Sequence, residues 1–491
     1  MNTFMHNLEN TTNYGYTENG AVKHNSTNSA VYDMFAFMGA YRKRRDEDCI
    51  LLFKNAFEED PLLALKCLFY GRDCRGGLGE RRFFRVCLRW LAEYNPKVVR
   101  RNLEHIPFFG RWDDLYILMD TPVEKDVFKL IKNQLILDMQ DCMKDKNTGI
   151  SLLGKWLKSE NASSAETKKL AKKTREALGM TARDYRKMLS RLRERIKVLE
   201  KLMSANKWEE IDFSKIPSKA GLIYRNAFAR RDIIAERYAA FARDKETKVN
   251  AATLYPYEVV KKALGLRHSY NLSNTDRLMV NKYWENLPDY LEGKDCKMMC
   301  VVDASGSMVG TPMNVAISLG MYCAERLSGP FSNRYISFSR RPQLIKVKGI
   351  DFVDKVNRIY RTNLCENTNL NAVFDLLLNV ALDKNTRKED IPETIVVISD
   401  MEIDCGSNWM SKKAVTEMEK MRAKWEQYGF TMPHLIYWNV DARHNTILDS
   451  GPNVTFVSGA SPVIFKSVLT GKNGYDLMLE AITADRYNVI K

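Results

Sequence analysis

Residues 298–307, Met-Met-Cys-Val-Val-Asp-Ala-Ser-Gly-Ser, decide the fold of the C-terminal half of the chain. The unbroken apolar run 298–302 predicts a buried strand. Asp303, Ser305 and Ser307 follow at once, so one carboxylate and two hydroxyls share the turn after that strand. These are hard oxygen ligands, the kind that Mg²⁺ prefers. The stretch predicts a strand that ends at a Mg²⁺ or Mn²⁺ site, and the alternative is a Ser-rich helix start without a metal.

Two further oxygen ligands lie downstream in similar contexts. Thr368 comes just before the helical pattern at 372–381, and Asp400 ends the apolar run 394–399. The carboxyl ends of parallel strands meet at one edge of a sheet, where ligands bind. We therefore expect Thr368 and Asp400 to join Asp303, Ser305 and Ser307 around one cation.

The rest of the C-terminal half predicts an α/β domain. Strand patterns occur at 334–338, 343–347, 394–399, 434–438 and 454–457, and helical patterns at 312–327, 372–382, 411–428 and 474–484. Alternation of this kind is typical of parallel βαβ units with helices on both faces of the sheet. The pair 334–338 and 343–347 predicts an antiparallel hairpin at the sheet edge.

Length and composition describe an ordinary soluble protein of two or more domains. The chain has 491 residues, of which 45% are hydrophobic and 28% charged. No apolar run approaches the ~20 residues that a membrane span needs, and the polar start does not resemble a signal peptide. The ten cysteines lack framework or zinc spacing. We expect reduced thiols, a cytoplasmic location and no membrane partner.

Charge is unevenly distributed along the chain. Residues 301–491 carry 22 Lys and Arg against 21 Asp and Glu, whereas residues 1–300 carry 54 against 40. Of the formal net charge of +15, residues 1–300 therefore carry +14 and residues 301–491 carry +1. Such a bias over a whole domain is typical of a protein that binds a polyanion. RNA or DNA is favoured over a membrane surface, since no lipidation signal or strongly amphipathic terminal helix accompanies it.

Helical patterns fill the N-terminal part and predict stacked antiparallel hairpins in a solenoid. They cover 29–45, 49–57, 61–70, 79–93, 97–106, 112–119 and 123–144, separated by Gly, Pro, Asp or Asn. A long helix is expected from Thr181 to about Leu199, with an apolar stripe on one face. Its other face carries Arg186, Lys187 and Arg191, which are candidate RNA contacts, although charged helix faces are often merely solvated.

A glycine-rich basic turn joins two of these helices at 72–82, Arg-Asp-Cys-Arg-Gly-Gly-Leu-Gly-Glu-Arg-Arg. Glycines permit close backbone approach, and a helix N-terminus that follows them can offer amides to an anion. The alternative is a tight helix–helix turn with an ion pair from Asp73 to an Arg. The candidate RNA contacts in this turn are Arg72, Arg75, Arg81 and Arg82, and a further candidate is Lys155 in the loop at 154–158.

These stretches, with 110–115, 185–195, 208–213 and Pro217-Ser218, occur in an order that resembles a known family. Its members join a TROVE-like helical module to a von Willebrand factor A domain, and occur in plants, large viruses, bacteria and phages. The Asp-x-Ser-x-Ser turn, Thr368 and Asp400 resemble the metal-ion-dependent adhesion site of that domain.

More distantly the architecture is similar to the Ro autoantigen, whose HEAT-like helical repeats form a ring with the A domain and bind small noncoding or misfolded RNA. The resemblance implies four segments. They are a polar start at 1–28, a helical-repeat domain at 29–250, a structured connector at 251–296 and a Rossmann-like A domain at 297–491.

Two functions from different classes follow from these observations, and neither is catalytic. The six histidines form no HExxH or triad pattern, so an enzyme is not expected. In the first hypothesis the chain is an RNA-binding ring, part of a ribonucleoprotein. In the second it is a scaffold, and its Mg²⁺ takes an Asp or Glu ligand from a protein partner. The charge distribution favours the RNA-binding hypothesis, and the set of metal ligands supports the scaffold hypothesis.

Overall fold

The computed structural model describes residues 13–16, 22–144, 149–266, 274–294, 296–338, 341–362, 369–384, 386–402, 417–443, 445–448, 453–467 and 472–491. A helical N-terminal part precedes a C-terminal part built on a six-stranded sheet, so the predicted combination of α and α/β parts is confirmed. None of the described helices combines the length and apolar content that a membrane span requires.

A small hairpin and thirteen helices make up residues 14–243. The hairpin pairs β1 (Tyr14–Tyr16) with β2 (Val22–His24). The helices are α1 (Ala30–Phe37), α2 (Asp46–Glu59), α3 (Pro61–Arg72), α4 (Arg81–Tyr94), α5 (Pro96–Asn102), α6 (Ile106–Phe109), α7 (Glu124–Met143), α8 (Leu153–Trp156), α9 (Ala165–Ala177), α10 (Ala182–Arg195), α11 (Leu199–Ser204), α12 (Ser218–Arg230) and α13 (Asp232–Arg243). Two more helices, α14 (Pro256–Leu266) and α15 (Asn274–Glu285), occupy the predicted connector.

The C-terminal sheet has the strand order β5-β4-β3-β6-β7-β8. The strands and helices are β3 (Met298–Asp303), α16 (Thr311–Arg326), β4 (Arg334–Phe338), β5 (Leu344–Lys346), α17 (Phe352–Thr362), α18 (Leu370–Ala381), β6 (Thr394–Ser399), α19 (Glu417–Gln427), β7 (His434–Asn439), β8 (Val454–Ser458) and α20 (Gly474–Ile482). Strands β4, β3, β6, β7 and β8 are parallel. The edge strand β5 pairs antiparallel with β4, as the sequence predicts.

Short 3₁₀ helices fill several turns. They are Met38–Lys43, Leu103–His105, Trp112–Leu118, Trp208–Glu210, Phe213–Lys215, Gly306–Met308, Gly329–Phe331, Lys388–Asp390, Pro462–Lys466 and Asp485–Tyr487.

The prediction of a single long helix from Thr181 to about Leu199 is wrong, because α10 stops at Arg195. Lys197 adopts a left-handed backbone with φ of 46°. Its N–H donates to Glu194 O at 3.0 Å, and the N–H of Val198 donates to Arg193 O at 3.1 Å. This is the Schellman pattern that ends helices, with lysine at the position where glycine is usual. The apolar stripe itself is confirmed, since Tyr185, Met188, Leu189 and Leu192 are buried.

The glycine-rich turn at 72–82 packs against the C-terminal end of the chain. Asp73 is fully buried and accepts hydrogen bonds from both Arg486 and the hydroxyl of Tyr487, the latter at 3.1 Å. Gly77 lies so close to the backbone of Tyr70 that a side chain would collide with it. We call the contact of Asp73 with Arg486 and Tyr487 the C-terminal joint. In the C-terminal joint Asp73 forms an ion pair with Arg486. An ion pair from Asp73 to an Arg is the alternative to an anion-binding turn that the sequence left open.

A second contact fixes the connector to the sheet domain. Trp284 stacks on Phe352 with ring centroids 4.1 Å apart. Arg277 makes two hydrogen bonds to the carboxylate of Asp351 at 2.6 and 2.7 Å, and Asn281 adds a third at 3.0 Å. The sheet domain is therefore held by the helical part at both ends.

Arg486→Ala should lower the free energy of unfolding by about 3 kcal/mol, since it leaves the buried carboxylate of Asp73 without its cation. Arg387→Ala is the matched control, because Arg387 pairs with Asp390 on the exposed surface. Urea unfolding of the two variants measures the difference. Equal midpoints for the two variants would show that the C-terminal joint contributes no special stability.

Stability should also depend on Asp351 in acid. Burial alone would raise the pKa of Asp351, but hydrogen bonds from Arg277, the Asp354 amide and Asn281 lower it below the ordinary value. The carboxylate therefore stabilises the fold above about pH 4, its unfolded pKa, and loses that contribution as pH falls further. Asp351→Asn should cost about 1 kcal/mol at pH 7. In thermal melts the gap between wild type and variant should close towards pH 3, and a constant gap would contradict the assignment.

Candidate functional site

Asp303 ends β3 with its carboxylate fully buried. One oxygen, Oδ1, accepts a hydrogen bond from the Ser305 amide at 2.8 Å, which fixes the turn after the strand. The other, Oδ2, accepts from the Ser399 hydroxyl at 2.5 Å. Because β3 and β6 are paired in parallel, the end of one strand orients the side chain at the end of the other.

Asp400 follows β6 directly and is also buried. Its Oδ1 accepts from the Glu402 amide at 3.2 Å, and the Met401 amide donates to the Ser399 hydroxyl at 3.0 Å. Met401 is left-handed with φ of 64°, an uncommon backbone for a residue other than glycine. This turn places a second carboxylate beside Asp303.

The two serines of the Asp-x-Ser-x-Ser turn complete the arrangement. The hydroxyls of Ser305 and Ser307 lie 3.0 Å apart, and Ser305 is buried. Arg443, in the loop after β7, donates to the backbone carbonyl of Ser307 at 3.1 Å. We call Asp303, Ser305, Ser307 and Asp400 the strand-end site.

The strand-end site suits a divalent cation. Burial raises the pKa of Asp303 to about 6, and the nearby charge of Asp400 adds to this effect. Burial also raises the pKa of Asp400, although the Ser307 hydroxyl and Arg443 oppose the shift. Oδ2 of Asp400 is buried and has no hydrogen-bond partner among the described residues. Two crowded carboxylates, one with an unpartnered oxygen, are the donor set that a hard cation would satisfy.

Thr368, the fifth ligand candidate, lies outside the described residues. Within the part of the chain that the structure covers, no three His, Cys, Asp or Glu side chains are grouped to hold a metal. A cation at the strand-end site would therefore depend on serine hydroxyls as well as on carboxylates.

Two of the basic residues predicted to contact RNA have partners within the protein, Arg72 in the interior and Arg82 at the surface. Arg72 is buried, with only 2% of its surface exposed, and donates to Asp114 at 2.9 and 2.7 Å. Arg82 donates to the Tyr41 carbonyl at 3.2 Å and pairs with Asp46. Arg72 is therefore withdrawn as a contact, because folding leaves it no path to a polyanion.

The other candidates are accessible to different degrees. Arg75 and Arg81 in the glycine-rich turn are exposed, as are the three on α10, and Lys155 is half-buried. Partial burial and the neighbouring guanidinium groups of Arg85 and Arg111 lower the pKa of Arg81. The three α10 residues are Arg186, Lys187 and Arg191.

A half-buried tryptophan lies between two cations near this turn. The guanidinium of Arg111 is 4.9 Å from the ring centroid of Trp156, and Nζ of Lys155 is 5.7 Å from it. Neither cation, nor Arg81, has a carboxylate within ion-pair distance in the described ranges, although the charges of Asp113 and Asp114 partly oppose the fall in the pKa of Arg81. We call Arg81, Arg111, Lys155 and Trp156 the basic surface.

Sequence reasoning missed Arg111, because the stretch 110–115 has the pattern of an Asp-containing helix start, which is a structural role. That assignment holds for Asp114, which is buried between Arg72 and Arg85. The available signal was the Gly-basic-Trp pattern that 110–112 and 154–156 share.

Comparison with known families covers both halves of the chain. A model described as "Domain of unknown function (DUF2828)" matches residues 17–148 and 140–295, more than half of the sequence. The chain belongs to the DUF2828 family. A second model, "Domain of unknown function (DUF7788)", matches residues 297–487.

A viral relative aligns with most of the chain. The chain is 29% identical over 505 residues to "Uncharacterized protein L728" of Acanthamoeba polyphaga mimivirus, an alignment that spans 94% of this chain and 85% of the relative. In this DUF2828 protein the basic surface lies in the DUF2828 match and the strand-end site in the DUF7788 match. The C-terminal joint links the two.

The strand-end site predicts Mg²⁺ or Mn²⁺ binding that depends on Asp303. Asp303→Asn keeps the side-chain shape and removes the charge, so calorimetry should show at least about tenfold weaker binding. Asp375→Asn, at a carboxylate that pairs with Lys424 on the surface of the same domain, is the matched control and should bind as wild type does. Equal affinity in all three proteins would contradict the assignment.

Proposed function

We propose that this DUF2828 protein is a non-catalytic RNA-binding protein of the cytoplasm that acts in a ribonucleoprotein. The observation that carries the proposal is the charge distribution, +14 on residues 1–300 and +1 on residues 301–491. Lys and Arg side chains that neutralise the phosphates of an RNA release the counterions condensed on it, which favours binding. The preferred substrate is single-stranded RNA, or a small noncoding RNA with unpaired ends.

The basic surface supports contact with unpaired nucleotides. Burial and then the neighbouring guanidinium groups of Arg85 and Arg111 lower the pKa of Arg81, and a bound phosphate would relieve that repulsion. Trp156 offers a partly exposed ring between two cations. Aromatic rings beside basic side chains stack single-stranded bases without strong sequence preference.

A closed arrangement of the helices supports the likeness to ring-forming, TROVE-like modules with HEAT-like repeats. At the N-terminal end α1 packs on β8 and α3 on α20, and at the other end α14 packs on α16 and α15 on α17. The hydroxyl of Tyr255, just before α14, donates to Leu78 O at 2.8 Å. After residue 80 the helices lead away from the sheet domain, and at residue 255 the chain returns to the glycine-rich turn at 72–82. A closed path of this kind would enclose a basic inner wall.

A second candidate function, binding of a protein partner, is favoured by one observation. Oδ2 of Asp400 is buried beside the serine hydroxyls and has no partner in the described structure. In a domain like that of von Willebrand factor A, Mg²⁺ bound there would keep a position open for an Asp or Glu of the partner. The two functions are compatible, since the basic surface and the strand-end site lie in different domains.

Reversal of two charges on the basic surface should weaken RNA binding. With the full chain and a single-stranded RNA, Arg81→Glu combined with Lys155→Glu should lower affinity at low salt. It should also reduce the slope of log affinity against log salt by about 1.4, because each lost phosphate contact removes about 0.7. Gel-shift titrations at several salt concentrations measure both quantities.

Lys346→Glu combined with Lys348→Glu is the matched control, because both lysines are exposed near the sheet edge and the net charge changes equally. The control and Asp303→Asn should both bind RNA as wild type does. No retardation of RNA at micromolar wild-type protein would overturn the RNA-binding proposal and leave the protein-partner function ahead. An equal loss in the control pair would assign binding to net charge rather than to the basic surface.

A further inference from the structure

A cavity of about 600 Å³ lies where α10 ends and α11 begins. Its volume falls within the range of ligand sites in proteins, about 300 to 1,000 Å³. The wall carries six cationic side chains and two carboxylates, Glu194 and Glu210. The cations are Arg191, Arg193, Arg195, Lys197, Lys201 and Lys207.

Most of this positive charge is not neutralised by the wall itself. Lys207 pairs with Glu210 at 3.1 Å. In the described ranges no carboxylate lies within ion-pair distance of Arg191, Lys197 or Lys201. Nζ of Lys201 donates to the Ser190 hydroxyl at 2.7 Å, which holds the ammonium in place without cancelling its charge.

Arg193 is also held without an acid. It donates to the carbonyls of Gly154 and Leu157 at 3.0 and 2.8 Å and to the Ser159 hydroxyl at 2.8 Å. These bonds join α10 to the loop at 154–159 and make one side of the cavity rigid. A rigid wall with uncompensated cations is preorganised for an anion.

The backbone at Lys197 carries a steric cost that glycine would avoid. Position 197 ends α10 in the left-handed region, where glycine would be free of steric cost. A lysine there faces the cavity at the expense of backbone strain. Strain of this kind at the edge of a charged cavity points to ligand binding.

The remaining wall is apolar and includes Cys142, Val198 and Leu202. A cavity lined by both cations and apolar side chains matches a molecule with an organic part and a phosphate. A nucleotide has both. A terminal phosphate also carries more charge, about −1.5 to −2, than the single charge of an internal phosphodiester, so a cluster of cations favours it.

We propose that this cavity binds the terminal phosphate of a nucleotide, either at the 5′ end of an RNA or in a free nucleoside triphosphate. The RNA source rests on the proposed function, whereas the free nucleotide does not. Binding at the cavity is separate from the contacts of the basic surface, because none of the basic-surface residues lines it.

The test titrates the full-length protein with three probes: a short single-stranded RNA with a 5′-triphosphate, the same RNA with a 5′-hydroxyl, and ATP. If the cavity binds terminal phosphate, the triphosphate RNA should bind about tenfold more tightly than the hydroxyl RNA. Lys197→Gly should remove this difference, and Lys197→Arg should restore most of it. Glycine suits the left-handed backbone, so a loss of binding in Lys197→Gly cannot be attributed to unfolding.

Arg191→Glu tests a second cation of the wall, with Lys346→Glu as the surface control that should leave the preference intact. Binding of ATP but of neither RNA would support the cavity with a free nucleotide as its ligand and would overturn the RNA-binding function. Equal binding of both RNAs, unchanged in Lys197→Gly and without ATP binding, would overturn the cavity and leave RNA binding at the basic surface. No binding of any probe would overturn both.

Discussion

The packing of the molecule depends on two consecutive buried charged residues, Arg72 and Asp73. They leave the end of α3 in opposite directions, Arg72 to Asp114 inside the helical part and Asp73 to Arg486 and Tyr487 at the end of the chain. A buried charge is costly unless it is paired, so each of these side chains depends on its own contact. The close packing of Gly77 follows, because only a glycine fits where the turn must pass the α3 backbone.

Other contacts of the helical part reach the loop beside the strand-end site. Residues 40–44 contact the loop after β7, where the Ala40 carbonyl accepts from the Ala442 amide and Lys43 pairs with Asp441. In the same loop Arg443 donates to the Ser307 carbonyl, within the Asp-x-Ser-x-Ser turn. The loop that borders the two carboxylates is thus positioned by helices of the other domain. A partner bound at the strand-end site would act on a surface that both domains shape.

The sequence predicts those features that depend on neighbouring residues. The apolar run 298–302, the turn that begins at Asp303 and the parallel partner that ends at Asp400 all follow from local pattern and strand geometry, and the structure brings them to one edge. The role of the glycine-rich turn does not follow in this way. Asp73 finds its partner 413 residues away, and no local pattern specifies such a contact. The end of α10 at Arg195 was missed for another reason, since lysine occupies the position where glycine signals a helix end.

The contacts found in the structure change which cationic side chains are candidates for ligand binding. Arg72 is used to satisfy a buried carboxylate, so the glycine-rich turn supplies fewer contacts than its composition suggests. Arg81, Arg111 and Lys155 at one place, and Arg191, Lys197 and Lys201 at another, have no carboxylate within ion-pair distance among the described residues. Uncompensated cations reduce stability through mutual repulsion, so their retention needs a compensating interaction. In the proposed function a bound RNA would supply that interaction at the basic surface, and a terminal phosphate would supply it in the cavity at the end of α10.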